Sequence, residues 1–431
     1  MNHRQFTRTF FIATLLMFFT AALTNVVIDP FAIFNAPSLV GWNDIKPAAW
    51  RRPDIHKTFA VRALAPDALI LGTSRAEVGI NPRHPAFVGV KPYNLAVSGA
   101  NMAQIAKYYD HARIVSPPRL LVVGLDFHAF NVYNQGRNDI DEMMFTKENA
   151  WEPVLPPLRK AMVAIGWQTL LSSVDTMDAQ QRTAAHRWAK DGQGQVNRAS
   201  MEANIIELGS QRSLFTAVEK RDVHDEYLPG PRHEFALGLN RHDSPMESLR
   251  RIVREAYLSN IDVRFFISPV HARRLEVIRG LDLWRAFEDW KRTLVTMIEA
   301  EAKTAGRDSF PLWDFSGYND ITTEMVPANE DSKTRMRWYW ESSHYRTETG
   351  DMILNRMFQI ASGESTQGSD FGVLLNRATL EAHLSSIRLA RQRYAEQRPQ
   401  EVAEVADLLR NEVKNRNYPI DHSAQNALAK R

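Results

Sequence analysis

The chain has 431 residues, and its 53 basic and 50 acidic side chains leave a net charge of only +3, which gives no electrostatic case for nucleic-acid binding. Apolar residues make up 44% and charged residues 24%, the profile of a globular protein and not of a disordered one. There is no cysteine, so disulfides, thiolate metal sites and cysteine nucleophiles are excluded, and covalent catalysis would fall to Ser, Thr, Lys or a carboxylate.

Residues 1–9 carry Arg4 and Arg8, and residues 10–28 then run without a charge as far as Asp29. As a helix that run would be roughly 28 Å long, close to the ~30 Å hydrocarbon thickness of a bilayer. The basic flank on the N-terminal side places residue 1 in the cytoplasm and the rest of the chain outside. The reading is an uncleaved transmembrane signal anchor; a cleaved signal peptide and a buried core helix are the competing ones. Residues 29–60, with Pro, Asn and Trp and little periodicity, form a lead-in.

Residues 61–134 and 246–362 hold five short, nearly continuous apolar runs, at 68–72, 93–97, 119–125, 263–269 and 310–315. Continuous rather than alternating apolarity is what a strand buried on both faces requires. Helical spacing lies between several of them, at Met102, Ile105, Tyr109 and Ala112 and again over 244–260. Strand, helix, strand in this order predicts an α/β fold with a doubly wound, mostly parallel sheet, whose ligands sit beyond the carboxyl ends of the strands. Ser74, Gly99, Asp126 with His128, and His271 all fall there. Residues 135–245 are too long for a crossover and read as a mostly helical insertion that shapes a cleft, docks a partner or covers apolar surface. Residues 363–431 read as a charged helical tail.

Two short stretches carry chemistry. Leu71-Gly72-Thr73-Ser74-Arg75 stops a strand at a serine that is either a helix N-cap or a nucleophile. Glu341 and His344 are three apart, which lets the carboxylate meet the imidazole ahead of a helix starting near Thr347. A serine hydroxyl needs a base to take its proton, and that base works best when a carboxylate fixes its tautomer, so Ser74, His344 and Glu341 supply the three parts. Backbone N–H groups at the Ser74 and Gly99 turns would stabilise an oxyanion. His271 could touch substrate or cap the helix after it. Trp338, Tyr339 and Trp340 suit either core or sugar stacking. The 13 histidines include no zinc-binding pair, and no P-loop ending is present, so neither metal nor cofactor is expected.

Gly72-Thr73-Ser74-Arg75, Asn94-Leu95-Ala96-Val97-Ser98-Gly99, Val123-Gly124-Leu125-Asp126 and Glu341-x-x-His344 resemble blocks I, II, III and V of the SGNH (GDSL-like) hydrolase superfamily, over residues 10–130 and 255–360. With the anchor, Asp29-Pro30-Phe31 and Ser342-Ser343-His344-Tyr345-Arg346, the chain is similar to membrane-anchored periplasmic SGNH-like proteins that act beside membrane-bound O-acyltransferases in polysaccharide O-acetylation, the alginate group included. It is more distantly similar to proteins of D-alanyl-lipoteichoic acid synthesis. The resemblance implies a flavodoxin-like three-layer fold, a location on the periplasmic side of a bacterial inner membrane, a glycan substrate and an O-acyltransferase partner. By position it implies Ser74 as nucleophile, His344 as base, Glu341 as its orienting acid, and Ser74 and Gly99 as oxyanion donors.

Two positions depart from the pattern. Glu341 stands where the superfamily has Asp, and Asp126 aligns with the Asn whose amide faces the oxyanion. An ionised carboxylate there would repel the developing charge, so Asp126 is protonated or turned away, or Asn101 or Asn131 supplies the donor, or the site binds without turnover. The resulting expectation is a serine acyltransferase or esterase acting on O-acyl groups of an envelope polysaccharide. An inactive scaffold of a polysaccharide export complex is the alternative.

Overall fold

The computed structural model describes residues 2–147, 152, 154–181, 187–188, 192, 194–195, 198–239, 241–331, 333–360 and 371–414, with backbone alone at 187–188, 194–195, 198–202 and 413–414. In chain order its strands are β1 (Ala68–Leu71), β2 (Pro92–Asn94), β3 (Leu120–Leu125), β4 (Arg187–Trp188), β5 (Gly194–Gln195), β6 (Asp262–Ile267), β7 (Leu312–Asp314) and β8 (Val373–Leu375). The main sheet has the order β2-β1-β3-β6-β7-β8, parallel throughout except for antiparallel β8, while β4 and β5 form a separate small hairpin. The sheet starts at β1, one strand in from the edge, steps out to β2 and returns past β1 to β3, so the winding direction reverses between β1 and β3.

The sheet is apolar on both faces, and each face has its own core. Leu69, Leu71, Leu121, Val123, Val263 and Phe265 point to one side, against the helices Met102–Val115, Pro245–Leu258 and Trp284–Ala305. Ala68, Ile70, Leu120, Val122 and Phe266 point to the other, against Ala76 and against Ile353, Leu354 and Met357 of the helix Thr347–Phe358. At about 1.5–3 kcal/mol for each fully buried aliphatic side chain, the two faces contribute comparably, which explains why the strands carry no polar alternation. Residues 363–431 hold more than charged helix: Val373–Leu375 forms the antiparallel edge strand β8. Three residues are too few to show a period, and pairing with β7 decides their conformation. The helices Leu380–Gln397 and Pro399–Lys414 follow it, and Leu384, Ile387, Tyr394 and Leu409 join the first core.

At the N-terminus the helix His3–Ile28 is long and apolar enough to cross a membrane, and its side chains are mostly outward-facing. It is opened by a capping box between Asn2 and Gln5.

Five histidines, His56, His84, His111, His128 and His271, are buried within this framework. Burial pushes the imidazoles of His56, His111 and His128 down to about 4 and that of His271 to about 3, so these four are neutral in the fold. Below the ordinary value near 6.5 the unfolded chain binds more protons than the folded one, and stability is lost as pH falls from there towards about 4. Urea midpoints are expected to drop steadily between about pH 7 and about pH 5. A flat or rising midpoint over that interval would contradict the neutral assignment.

Candidate functional site

The residues after β1 and β3 meet at the reversal point of the sheet. β1 ends at Leu71, and Thr73, not Ser74, caps the short helix Ser74–Gly79: the Thr73 Oγ accepts from the Arg75 N–H at 3.3 Å. The Thr73 hydroxyl donates in turn to Asp126 Oδ2 at 2.6 Å, beyond the end of β3. Ser74 therefore has no capping duty. Its Oγ lies 2.7 Å from Nε2 of His344.

His344 reaches that position from a tight reversal of the chain. Trp340 N–H donates to the His344 carbonyl at 2.9 Å and Arg346 N–H to the Trp338 carbonyl at 2.8 Å, which leaves residues 341–343 at the tip. The Glu341 carboxylate fills the tip. It takes the Ser343 N–H at 2.6 Å and the His344 N–H at 3.1 Å, and it bonds His344 Nδ1. Burial alone would raise this carboxyl, but the imidazole and the Ser343 N–H together bring it down to about 2. Fixed by these donors, it sets the His344 tautomer with the proton on Nδ1 and the lone pair towards Ser74.

Two further contacts register the halves of this arrangement. Arg75, next to Ser74, is buried and donates to Oγ of Ser343, next to His344, from Nε at 3.1 Å and Nη2 at 2.9 Å. The helix Ser74–Gly79 also lies directly on the segment after His344. A Cβ on Gly350 would fall 1.8 Å from the Gly79 carbonyl oxygen, and one on Gly79 would fall 1.9 Å from the Tyr345 ring. Only hydrogen at both positions permits that approach.

Asp126 is engaged away from the serine. Its Oδ1 is 3.0 Å from Arg75 Nη1, and although burial opposes ionisation, Arg75 and the Thr73 hydroxyl hold the carboxyl below its ordinary range. It is ionised and turned towards the guanidinium, and it is not part of the cavity wall in front of Ser74. Arg75 Nη1 also donates to His128 Nδ1 at 2.9 Å. A guanidinium can only donate, so the neutral His128 ring carries its proton on Nε2.

The cavity has a volume of about 640 Å³ and is lined by Ser74, Gly99, His128, Glu341 and His344 from the α/β body. The helix Gln211–Asp222 and the turn after it add Arg221, Asp222 and Glu226, so residues 135–245 do wall the cleft. The indole in the wall is Trp50, from the lead-in. The Gly99 turn is placed by a buried ion pair: Lys57 Nζ lies 2.8 Å from Glu77 Oε1, and Glu77 Oε2 receives the Ser98 N–H at 3.0 Å.

The structure places the other expected residues elsewhere. Asn101 caps the helix Met102–Val115 and gives its amide to the Asn134 carbonyl. Asn131 donates to the Tyr227 and Glu234 carbonyls and accepts from the Tyr133 and Ala236 N–H groups. His271 is fully buried, caps the helix Ala272–Gly280 and bonds the Glu324 carbonyl at 2.7 Å. Trp338, Tyr339 and Trp340 are buried and stand outside the cavity wall. Sequence reasoning gave no role to Arg75, and it overlooked Trp50 and Glu226; lone residues without a pattern carry no signal until the chain is folded. Among the described residues no cluster of His, Asp or Glu is set to hold a metal ion. No family model matches the chain, and no curated protein does.

Gly350→Ala is expected to push the two glycine-packed segments apart, costing about 1–3 kcal/mol, the usual range for overpacking. It should show as a lowered urea midpoint, and an unchanged midpoint would contradict the packing. Asp126→Ala, which takes the nearest carboxylate from the buried Arg75, should cost about 3–5 kcal/mol in the same measurement.

Proposed function

We propose that the protein is a serine acyltransferase or esterase that works through a Ser74 ester. The observation that carries this reading is the continuous chain from Ser74 Oγ to His344 Nε2 at 2.7 Å and from His344 Nδ1 to the buried Glu341 carboxylate. His344 takes the Ser74 proton as Oγ attacks an acyl carbonyl. The resulting imidazolium is stabilised by Glu341, and it returns the proton to the departing alcohol oxygen. A second hydroxyl, from water or a sugar, then enters by the same steps in reverse and releases Ser74.

The tetrahedral oxygen needs donors in place before it forms. Ser74 N–H, the first of its helix and without an intrahelical acceptor, and Gly99 N–H are two of them. In this proposal the third is His128 Nε2–H, which takes the place of the missing amide at Asp126. Asp126 holds the arginine that orients His128, and so acts through it.

The chemistry fits removal or transfer of a small acyl group on a glycan: the cavity is the size of a ligand site, has polar and apolar side chains in its wall and has the indole of Trp50 for a sugar face. With the apolar helix His3–Ile28 spanning the inner membrane and Arg4 and Arg8 inside, the cavity would face the periplasm, on exported or envelope polysaccharide. The resemblance to SGNH-like proteins of polysaccharide O-acetylation supports the same substrate class and an O-acyltransferase partner.

Acetate release from an acetylated xylan or alginate by the purified full chain tests the reading. Ser74→Ala and His344→Ala should abolish release, and Glu341→Gln should lower turnover by roughly 10³–10⁴-fold. His128→Ala should lower it by ~10²–10³-fold, as removal of one oxyanion donor does. Release by the wild type no faster than by Ser74→Ala would contradict an enzymatic role and return the scaffold reading.

A further inference from the structure

The helices Leu155–Ile165 and Trp167–Ala179 form a hairpin in which the usual distribution of side chains is inverted. The buried stripe of the second helix is Thr169, Ser173, Thr176 and Ala179. The outward stripe of the pair is Leu158, Met162, Ile165, Trp167, Leu171 and Val174, with Trp167 67% exposed. Among the exposed positions of the two helices only Asp178, in the last turn, carries a charge. Water does not select such a surface, and a single-chain soluble domain rarely leaves one open.

Its position says what covers it. Asn25, in the last turn of the apolar helix His3–Ile28, donates to the Ala164 carbonyl at 2.8 Å and the Gly166 carbonyl at 3.2 Å, at the bend of the hairpin. Ser173 Oγ donates back to Asn25 Oδ1 at 2.9 Å. Ser173 of the polar stripe is thus bonded to the N-terminal helix, and the apolar stripe continues that helix's own lipid-compatible surface. Beside the same helix end, Asn43 bonds the Ile28 carbonyl, and the loop it holds turns Leu39, Val40 and Trp42 outward. At 11 and 13 residues the two helices reach only about 16 Å and about 20 Å, too short to span a bilayer of ~30 Å but long enough to lie in its surface.

We infer that the hairpin 155–179 is a second membrane contact, embedded in the lipid interface of the leaflet where the N-terminal helix emerges. It fixes the orientation of the α/β body above the bilayer. A single helix would leave the body free to swing; a helix plus an embedded hairpin sets the height and facing of the cavity. Trp167 and Trp42 would sit at headgroup depth, where indoles are favoured. The inference rests on the helix His3–Ile28 lying in the bilayer, and it is independent of the chemistry at Ser74.

Because the chain has no cysteine, single sites can be labelled cleanly. The full chain carrying Leu16→Cys, Met162→Cys, Leu171→Cys or Val88→Cys is labelled with a nitrobenzoxadiazole dye. It is then reconstituted in phosphatidylethanolamine–phosphatidylglycerol vesicles with or without doxyl-labelled lipid. Loss of emission at 162 and 171 comparable to that at 16, with none at Val88, an exposed position of the α/β body, is the expected result. Quenching at 16 alone would overturn the inference and leave the apolar stripe to a protein partner. Quenching at none of the sites would overturn it together with the anchor on which it rests. Equal quenching at all four, Val88 included, would overturn it as unspecific adsorption.

Discussion

The buried guanidinium of Arg75 is the constraint on which the site depends. It follows Ser74 directly, and from one planar group it contacts Asp126 and His128 after β3, Ser343 beside His344, and Glu226 at 3.4 Å from the insertion. A cation out of water is costly unless every donor has a partner, so these segments gather around it and their spacing becomes that of a rigid fork. Arg274 extends the network through Asp222 and Glu226. The insertion is thereby tied to the sheet by charge, while the two sheet faces are held by apolar burial.

That division shapes the cavity. Apolar packing fixes the sheet and its covering helices, and the glycine contact between residues 79 and 350 brings the serine and histidine segments to touching distance. The charged network then sets side-chain orientations within that frame. Asp126 shows the consequence: a carboxylate beside the proposed oxyanion site is tolerable because Arg75 neutralises it and the Thr73 hydroxyl consumes an oxygen. In the proposed mechanism His128, two residues on and held neutral, presents an N–H in place of the amide.

The strands and the Glu341–His344 pair were legible because each rests on a local pattern: continuous apolarity for burial on both faces, and a three-residue spacing that lets two side chains meet. Other features depend on partners far along the chain. Ser and Thr are both good caps, and only the bond from Thr73 to Asp126, 53 residues later, decides that Thr73 caps and Ser74 is left for His344. Asn101 and Asn131 were candidates for a missing amide and His271 for its place after a strand, yet backbone partners, most of them far along the chain, consume their polar atoms. Residues 155–179 read only as part of a mostly helical insertion, since periodicity reports that one face is apolar but not which face points inward.

Mass-spectrometric mapping of a fluorophosphonate adduct on the purified full chain tests the central claim most directly, because that reagent modifies a serine only where a base and an oxyanion site already act on it. The account predicts a single adduct on Ser74, lost in His344→Ala. An unmodified Ser74, or an adduct that forms equally without His344, would contradict it.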